Sequence, residues 1–82
     1  MLKALGYRLL VKPDDFNSEH EVKGTDIVLE IVHNIGENIP WAKVGDHVMY
    51  SRYGGKRIED PETGKEVILL DDGDVLCKIE EN

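Results

Sequence analysis

The fold is decided by the stretch Pro40-Trp41-Ala42-Lys43-Val44-Gly45-Asp46-His47-Val48-Met49-Tyr50. Its middle, Lys43 to Asp46, has the composition of a turn, because Gly45 permits a positive φ and Asp46 can bond its own backbone. Apolar residues then alternate with others from His47 to Tyr50, which is the period of a strand with one buried face. We therefore predict a turn that leads directly into a β-strand.

The rest of the chain also has the pattern of strands and turns. The strand after His47 breaks at Gly54-Gly55 and resumes at Lys56, which predicts two strands joined by a glycine corner. The other predicted strands cover residues 2–12, 26–32, 66–70 and 75–79. Short strands at close spacing, without a helical stripe, predict an all-β fold as a single domain over residues 1–82, either a small barrel or a sandwich.

In two of these strands, the alternation of apolar and other residues predicts which side chains lie on the same face. In the first, Leu9 and Val11 are predicted to share one face. In the last, Val75, Cys77 and Ile79 are predicted to do the same.

The composition argues against several classes of function. Asp and Glu total 17 against 10 Lys and Arg, for a net charge of -7, which disfavours binding to nucleic acid or to anionic membranes. The chain has no apolar run of about 18 residues, so we expect no spanning helix. The N-terminus lacks the apolar core of a signal peptide. Cys77 has no cysteine partner within the chain, so the sequence is compatible with a reducing cytoplasm.

Motifs for catalysis or metal binding are also missing. His20, His33, His47 and Cys77 do not have the spacing of zinc ligands. The acidic run Asp71-Asp72-Gly73-Asp74 lacks the loop length of a calcium-binding EF-hand, so we interpret it as a solvated turn. The possible nucleophiles are Ser18, Ser51 and Cys77, and none of them lies in a recognisable catalytic motif. We expect no catalytic residue, no metal site and no bound cofactor.

The order of short motifs resembles the GroES-type co-chaperonin family. These motifs are the opening strand from Leu5 to Pro13, Lys43-Val44-Gly45-Asp46, Tyr53-Gly54-Gly55, and the closing strand from Val75. The sequence from Pro40 to Asp46, together with that from Gly55 to Gly64, is most similar to forms encoded by bacteriophages. The resemblance implies a small irregular GroES-like β-barrel.

The resemblance also implies a function. Members of the family form heptameric rings that cap a GroEL-type chaperonin and assist protein folding. ATP is bound and hydrolysed by the chaperonin, so the resemblance implies a lid that is not an enzyme and holds no cofactor. It would act in the cytoplasm, which is the host cytoplasm for a phage-encoded protein.

In this family the first and last strands pair across neighbouring subunits. Carried over by position, the expected subunit interface consists of Leu2, Leu5, Leu9, Val11, Val75, Cys77 and Ile79.

Chaperonin binding in the family uses a long mobile loop with an apolar edge after the first strand, and two registers are possible here. In the first, residues 24–32 are the barrel strand that follows the loop, which is then shortened to Asp14–Lys23. In the second, Ile27-Val28-Leu29 is the apolar edge and the following barrel strand is missing. We prefer the first, because losing a core strand would remove buried apolar area and expose sheet edges. Phe16 with Val22 is then a reduced docking point.

The short loop leaves an alternative function open. Without an apolar loop edge, the chain has no evident site for binding a chaperonin. Assembly into a ring can strengthen a weak contact through avidity, but it cannot create a contact. The alternative is a GroES-like barrel repurposed as a phage structural or decoration protein, located in the virion, or as another interaction module.

Overall fold

The computed structural model describes residues 2–13 and 22–80 of the chain. Within these ranges, six strands form one antiparallel sheet in the order β4-β5-β1-β2-β3-β6. The strands are β1 (Arg8–Lys12), β2 (Ile27–Ile35), β3 (His47–Ser51), β4 (Lys56–Glu59), β5 (Glu66–Asp71) and β6 (Val75–Lys78), with a 3-10 turn at Asp72–Asp74 before β6. The all-β prediction is confirmed.

The main core lies on one face of this sheet. Its buried residues come from four strands and from the β2–β3 connection: Leu9, Val11, Val28, Val32, Ile39, Ala42, Val48, Tyr50, Ile68 and Leu70. Trp41 and Val75 of β6 pack against them. In a flat sheet, β5 and β6 would lie about 19 Å apart at the usual strand spacing. Because both contribute to the same core, the sheet is strongly curved, as expected for the predicted small GroES-like β-barrel.

The segment before β1 covers the opposite face of that strand. Leu10 is buried there with Ala4 and Val67, and Leu2 packs against this second cluster. The prediction of one strand from residue 2 is wrong, because the chain turns before Arg8. Gly6 has a φ of 62°, and the Arg8 N–H donates to the Leu5 carbonyl at 3.2 Å.

A β-bulge lengthens β2 beyond its predicted end at Val32. Leu10 opposes Asn34 whereas Val11 opposes Val32, so His33 is an extra residue in β2. The extra residue resets the alternation, and Ile35 again packs against the core, opposite Leu9. Ile27 to Leu29 lie at the start of β2, which pairs with both β1 and β3. This is the position that the first of the two registers assigns to them.

A second bulge changes the faces of β6. Met49 opposes Cys77 whereas Tyr50 opposes Val75, so Leu76 is the extra residue. Val75 therefore turns toward the core while Cys77 lies on the outer face with Met49. The prediction that Val75 shares a face with Cys77 and Ile79 is wrong for this reason.

The two predicted glycine turns are confirmed. Gly45 has a φ of 100°, and the Lys43 N–H donates to Asp46 Oδ2 at 3.0 Å, which closes the turn before β3. At the corner before β4, Gly55 has a φ of 74°. A Cβ atom at Gly55 would lie 2.6 Å from Leu70 Cδ2, so a side chain has no room there.

Candidate interaction surfaces

The residues predicted for a subunit interface fall into three groups by burial. Leu9 and Val11 are 0% exposed and belong to the subunit's own core, so neither side chain has surface left for a neighbour. Leu5 is 61% and Ile79 44% exposed, and Cys77 is exposed as well. Leu2 and Val75 are partly buried against the two clusters. The strand alternation predicted which residues of β1 share a face but not that both faces are covered.

The residues predicted for docking are also separated. Phe16 lies outside the described residues. Val22 closes a turn before β2: its N–H donates to the Ile27 carbonyl at 2.9 Å, and its carbonyl accepts from the Thr25 N–H at 3.1 Å. Val28 is buried in the core, whereas Ile27 and Leu29 are half-buried on the other face of β2.

An apolar row crosses the outer face of β2, β3 and β6. The cross-strand pairs Val28–Tyr50 and Glu30–Val48 face the interior, so the pair between them, Leu29–Met49, faces outward. Cys77 opposes Met49 from the other side. We call Leu29, Met49 and Cys77 the outer row.

Ile79 lies beside the end of this outer row. Its N–H donates to the His47 carbonyl at 2.9 Å, which continues the β3–β6 pairing by one residue. The outer row was not visible in the sequence, because it depends on the bulge at Leu76.

The outer row ends at a sheet edge. Among the described strands, β6 pairs with β3 alone, so its other edge presents backbone N–H and C=O groups that can pair with a further strand. The exposed side chains of β6 include Leu76 and Cys77. The edge strand at the other end, β4, reads Lys-Arg-Ile-Glu, and such charges discourage pairing. Of the two edges, β6 is therefore the better site for strand addition.

A buried polar pair holds β2 to β3 below the outer row. The Tyr50 hydroxyl donates to the Glu30 carboxylate, and both side chains are buried. Burial, and then the hydrogen bond to Glu30, raise the pKa of Tyr50 far above its ordinary value. A phenol is protonated at neutral pH even without this shift, so the pair serves to join the strands.

Residues 2–13 and 22–80 contain neither a metal-binding cluster nor a membrane-spanning helix. No three His, Cys, Asp or Glu side chains in these ranges come together in a way that would hold a metal ion. The same ranges contain no helix with the length and apolar character needed to cross a membrane.

The geometry is that of a small all-β protein with an apolar row on its outer face that ends at an open strand edge. Residues 27–79 match the family described as the chaperonin 10 Kd subunit, Cpn10. The chain is also similar to two proteins named co-chaperonin GroES. The one from Kosmotoga olearia is 35% identical over 86 aligned positions, and the one from Pseudothermotoga lettingae is 34% identical over 91. Each alignment covers 94% of this chain and 94% of the relative. The chain therefore belongs to the chaperonin 10 Kd, or GroES, family of co-chaperonins.

Proposed function

We propose that this chain assembles into a ring that caps a GroEL-type chaperonin and assists protein folding. The observation that carries the proposal is the extent of the family match, since 94% of this chain aligns with 94% of each co-chaperonin. The ring is heptameric, as the family resemblance implies.

The subunit contact is placed at the outer edge of β6 and at the segment before β1. Two observations support this placement. Leu5 and Tyr7 in that segment are each 61% exposed, and β6 presents Leu76 and Ile79 next to its edge. Burying such apolar surface between subunits would stabilise a small domain whose own core is limited. Cys77 and Ile79 take part in this contact, with Leu2 beside Leu5, whereas Leu9 and Val11 support it from the core.

Docking on the chaperonin is assigned to Phe16 and Val22. The support is that Ile27 to Leu29 are held in β2, which leaves Phe16 as the bulky apolar residue in the stretch Asp14–Lys23. We expect Phe16→Ala to weaken chaperonin binding about tenfold or more, since aromatic anchors contribute strongly at interfaces. The matched control is Asn17→Ala in the same stretch. Equal affinity of the Phe16 variant and wild type, by calorimetry with ADP present, would remove Phe16 from the site.

The chemistry of the folding cycle belongs to the partner in this proposal. The chaperonin binds and hydrolyses ATP, and this chain acts as a lid without a cofactor of its own. The place of action is the cytoplasm. Similarity to bacteriophage-encoded forms, which would make that the host cytoplasm, stays a prediction from the sequence of residues 40–46 and 55–64.

Native mass spectrometry tests the proposal most directly. The protein is measured alone, and then with a GroEL-type chaperonin and ADP. We expect a heptamer that adds to the chaperonin as one unit. A heptamer that leaves the chaperonin unbound would contradict the lid function and favour a repurposed interaction module. A monomer at all concentrations would contradict the ring itself.

A further inference from the structure

Lys78, near the end of β6, reaches away from its strand to the turn before β3. It opposes the fully buried Val48, so its side chain starts on the core face of the sheet. Its Nζ donates to the Trp41 carbonyl at 2.6 Å and lies 3.7 Å from Asp46 Oδ2. The side chains of Lys78 and Asp46 are only 28% and 17% exposed, so solvent screens this ion pair less than a surface pair.

Asp46, the ion-pair partner of Lys78, is held in place by hydrogen bonds. Asp46 Oδ2 also accepts the Lys43 N–H at 3.0 Å. The backbone of the turn is bonded to the central strand β2, because the Gly45 N–H donates to the Val32 carbonyl at 2.9 Å and the Val32 N–H donates to the Asp46 carbonyl at 2.8 Å. Lys78 thus ties an edge strand to a turn that is itself anchored in the core.

None of the four residues of β6 is fully buried. Within the described residues its strand partner is β3, and the ladder between them is interrupted by the bulge at Leu76. Val75 packs against the core, whereas Leu76 and Cys77 are exposed. Edge strands with little buried apolar surface open more readily than central strands. The contacts of Lys78 are therefore a large share of what keeps β6 aligned.

We infer that Lys78 is a positioning residue for assembly, which holds the outer edge of β6 in the conformation that a second copy of this chain recognises. The inference rests on the proposed function, because it takes β6 as the subunit contact. A strand that is already aligned loses less conformational entropy on pairing, so the tether lowers the concentration needed for assembly.

The test compares three variants. Lys78→Met keeps most of the aliphatic stem but removes the charge and the donor. Lys78→Arg keeps both and serves as the conservative rescue. Lys56→Met removes an exposed lysine from the opposite edge strand β4 and is the matched control.

Two readouts separate positioning from general stability. Amide hydrogen exchange, measured on dissociated subunits, reports opening of β6 through the Ile79 N–H, with amides of β1 and β2 as the internal reference. Sedimentation velocity over a dilution series reports assembly. For Lys78→Met we expect exchange at Ile79 about tenfold faster with the reference amides unchanged, as the loss of one charge-assisted hydrogen bond suggests. Assembly should need at least a tenfold higher concentration. Lys78→Arg should restore both readouts, and Lys56→Met should alter neither.

Several results would overturn the inference. Unchanged exchange at Ile79, an equal acceleration of all slow amides, or failure of Lys78→Arg to restore assembly would each show that Lys78 does not position β6. Should Lys78→Met not fold, Asp46→Asn replaces it, since an amide oxygen can still accept the Lys43 N–H while the ion pair is lost. This variant should shift both readouts in the same direction by a smaller factor.

The inference and the proposed function fail in different ways. If wild type forms a ring and Lys78→Met does so at the same concentration, only the role of Lys78 is wrong. If wild type never assembles, the proposed ring is wrong, and with it the assembly role of Lys78.

Discussion

At the scale of single residues, Tyr50 and Glu30 place a polar pair inside a small core. The Tyr50 hydroxyl satisfies a buried carboxylate, so removing it leaves Glu30 without that donor. We expect Tyr50→Phe to lower the free energy of unfolding by about 1–3 kcal/mol, the usual cost of an unsatisfied buried group. Glu30→Gln should cost less, because the amide oxygen can still accept from Tyr50. Urea denaturation of the two variants at pH 7 measures the difference, and an equal loss in both would contradict this account.

The Tyr50–Glu30 pair also makes the free energy of unfolding depend on pH. The pKa of Tyr50 is raised in the folded chain, so its contribution to stability is complete below the unfolded pKa of about 10 and is lost as the pH rises above that value. The free energy of unfolding should therefore fall above about pH 10, and more steeply in wild type than in Tyr50→Phe. Parallel pH profiles would show that Tyr50 does not cause the fall.

Gly55 is the residue on which the corner between β3 and β4 depends. Alanine there meets two obstacles: a φ of 74°, and a Cβ position 2.6 Å from Leu70 Cδ2. We expect Gly55→Ala to cost about 2–4 kcal/mol from strain and overpacking combined. Gly64→Ala is the control, because its φ of 72° is similar while the nearest atom lies 3.8 Å away. It should cost about 1–2 kcal/mol from backbone strain alone. Thermal unfolding of both proteins provides the comparison.

At the scale of elements, alternation within one strand could be predicted and pairing between strands could not. The buried positions Val48 and Tyr50 in β3 follow from a period of two. The bulges at His33 and Leu76 do not, because an extra residue is defined only against the partner strand. The outer row depends on the second bulge. The strands β2, β3 and β6 could therefore be predicted from the sequence, but the apolar surface that they form together could not.

The predicted interface shows the same limit. Leu9 and Val11 have the pattern expected of a strand with one buried face, and that pattern does not reveal what covers the face. In the folded chain the subunit's own core covers it. Exposed positions such as Leu5 lie in an irregular segment, where no periodicity exists to assign them.

The segment before β1 is held by a close backbone approach at Gly36. A Cβ atom there would lie 2.4 Å from the Gly6 carbonyl oxygen. The neighbouring Asn38 N–H donates to that same Gly6 carbonyl at 2.9 Å. Gly36→Ala should displace the segment and cost about 1–3 kcal/mol, with faster exchange at Ala4, whose N–H donates to Asn34. Gly73→Ala, which meets no atom within 4 Å, is the control. Unchanged exchange at Ala4 would contradict the role assigned to Gly36.

At the scale of the whole molecule, an 82-residue chain buries a limited fraction of its surface by itself. Its net charge of -7 opposes association between copies, so the subunit contacts of the proposed ring would have to be apolar and close-fitting. At the subunit contact proposed above, the edge of β6 with Ile79 and the exposed Leu5 would supply such a surface. Assembly should therefore strengthen as added salt screens the repulsion.

A lysine placed in this surface tests the proposed ring with little effect on the core. Ile79 is 44% exposed, and its N–H continues the β3–β6 pairing whatever side chain follows, so Ile79→Lys should leave subunit unfolding nearly unchanged. Buried at a subunit contact, the ammonium group would lose hydration without a partner, so the variant should remain dissociated at concentrations where wild type forms the ring. Val44→Lys makes the same change at a residue that is 60% exposed in the turn before β3, and this variant should assemble normally. Sedimentation velocity of the three proteins decides the matter, because a ring of Ile79→Lys that is as stable as wild type would place the contact elsewhere on the molecule.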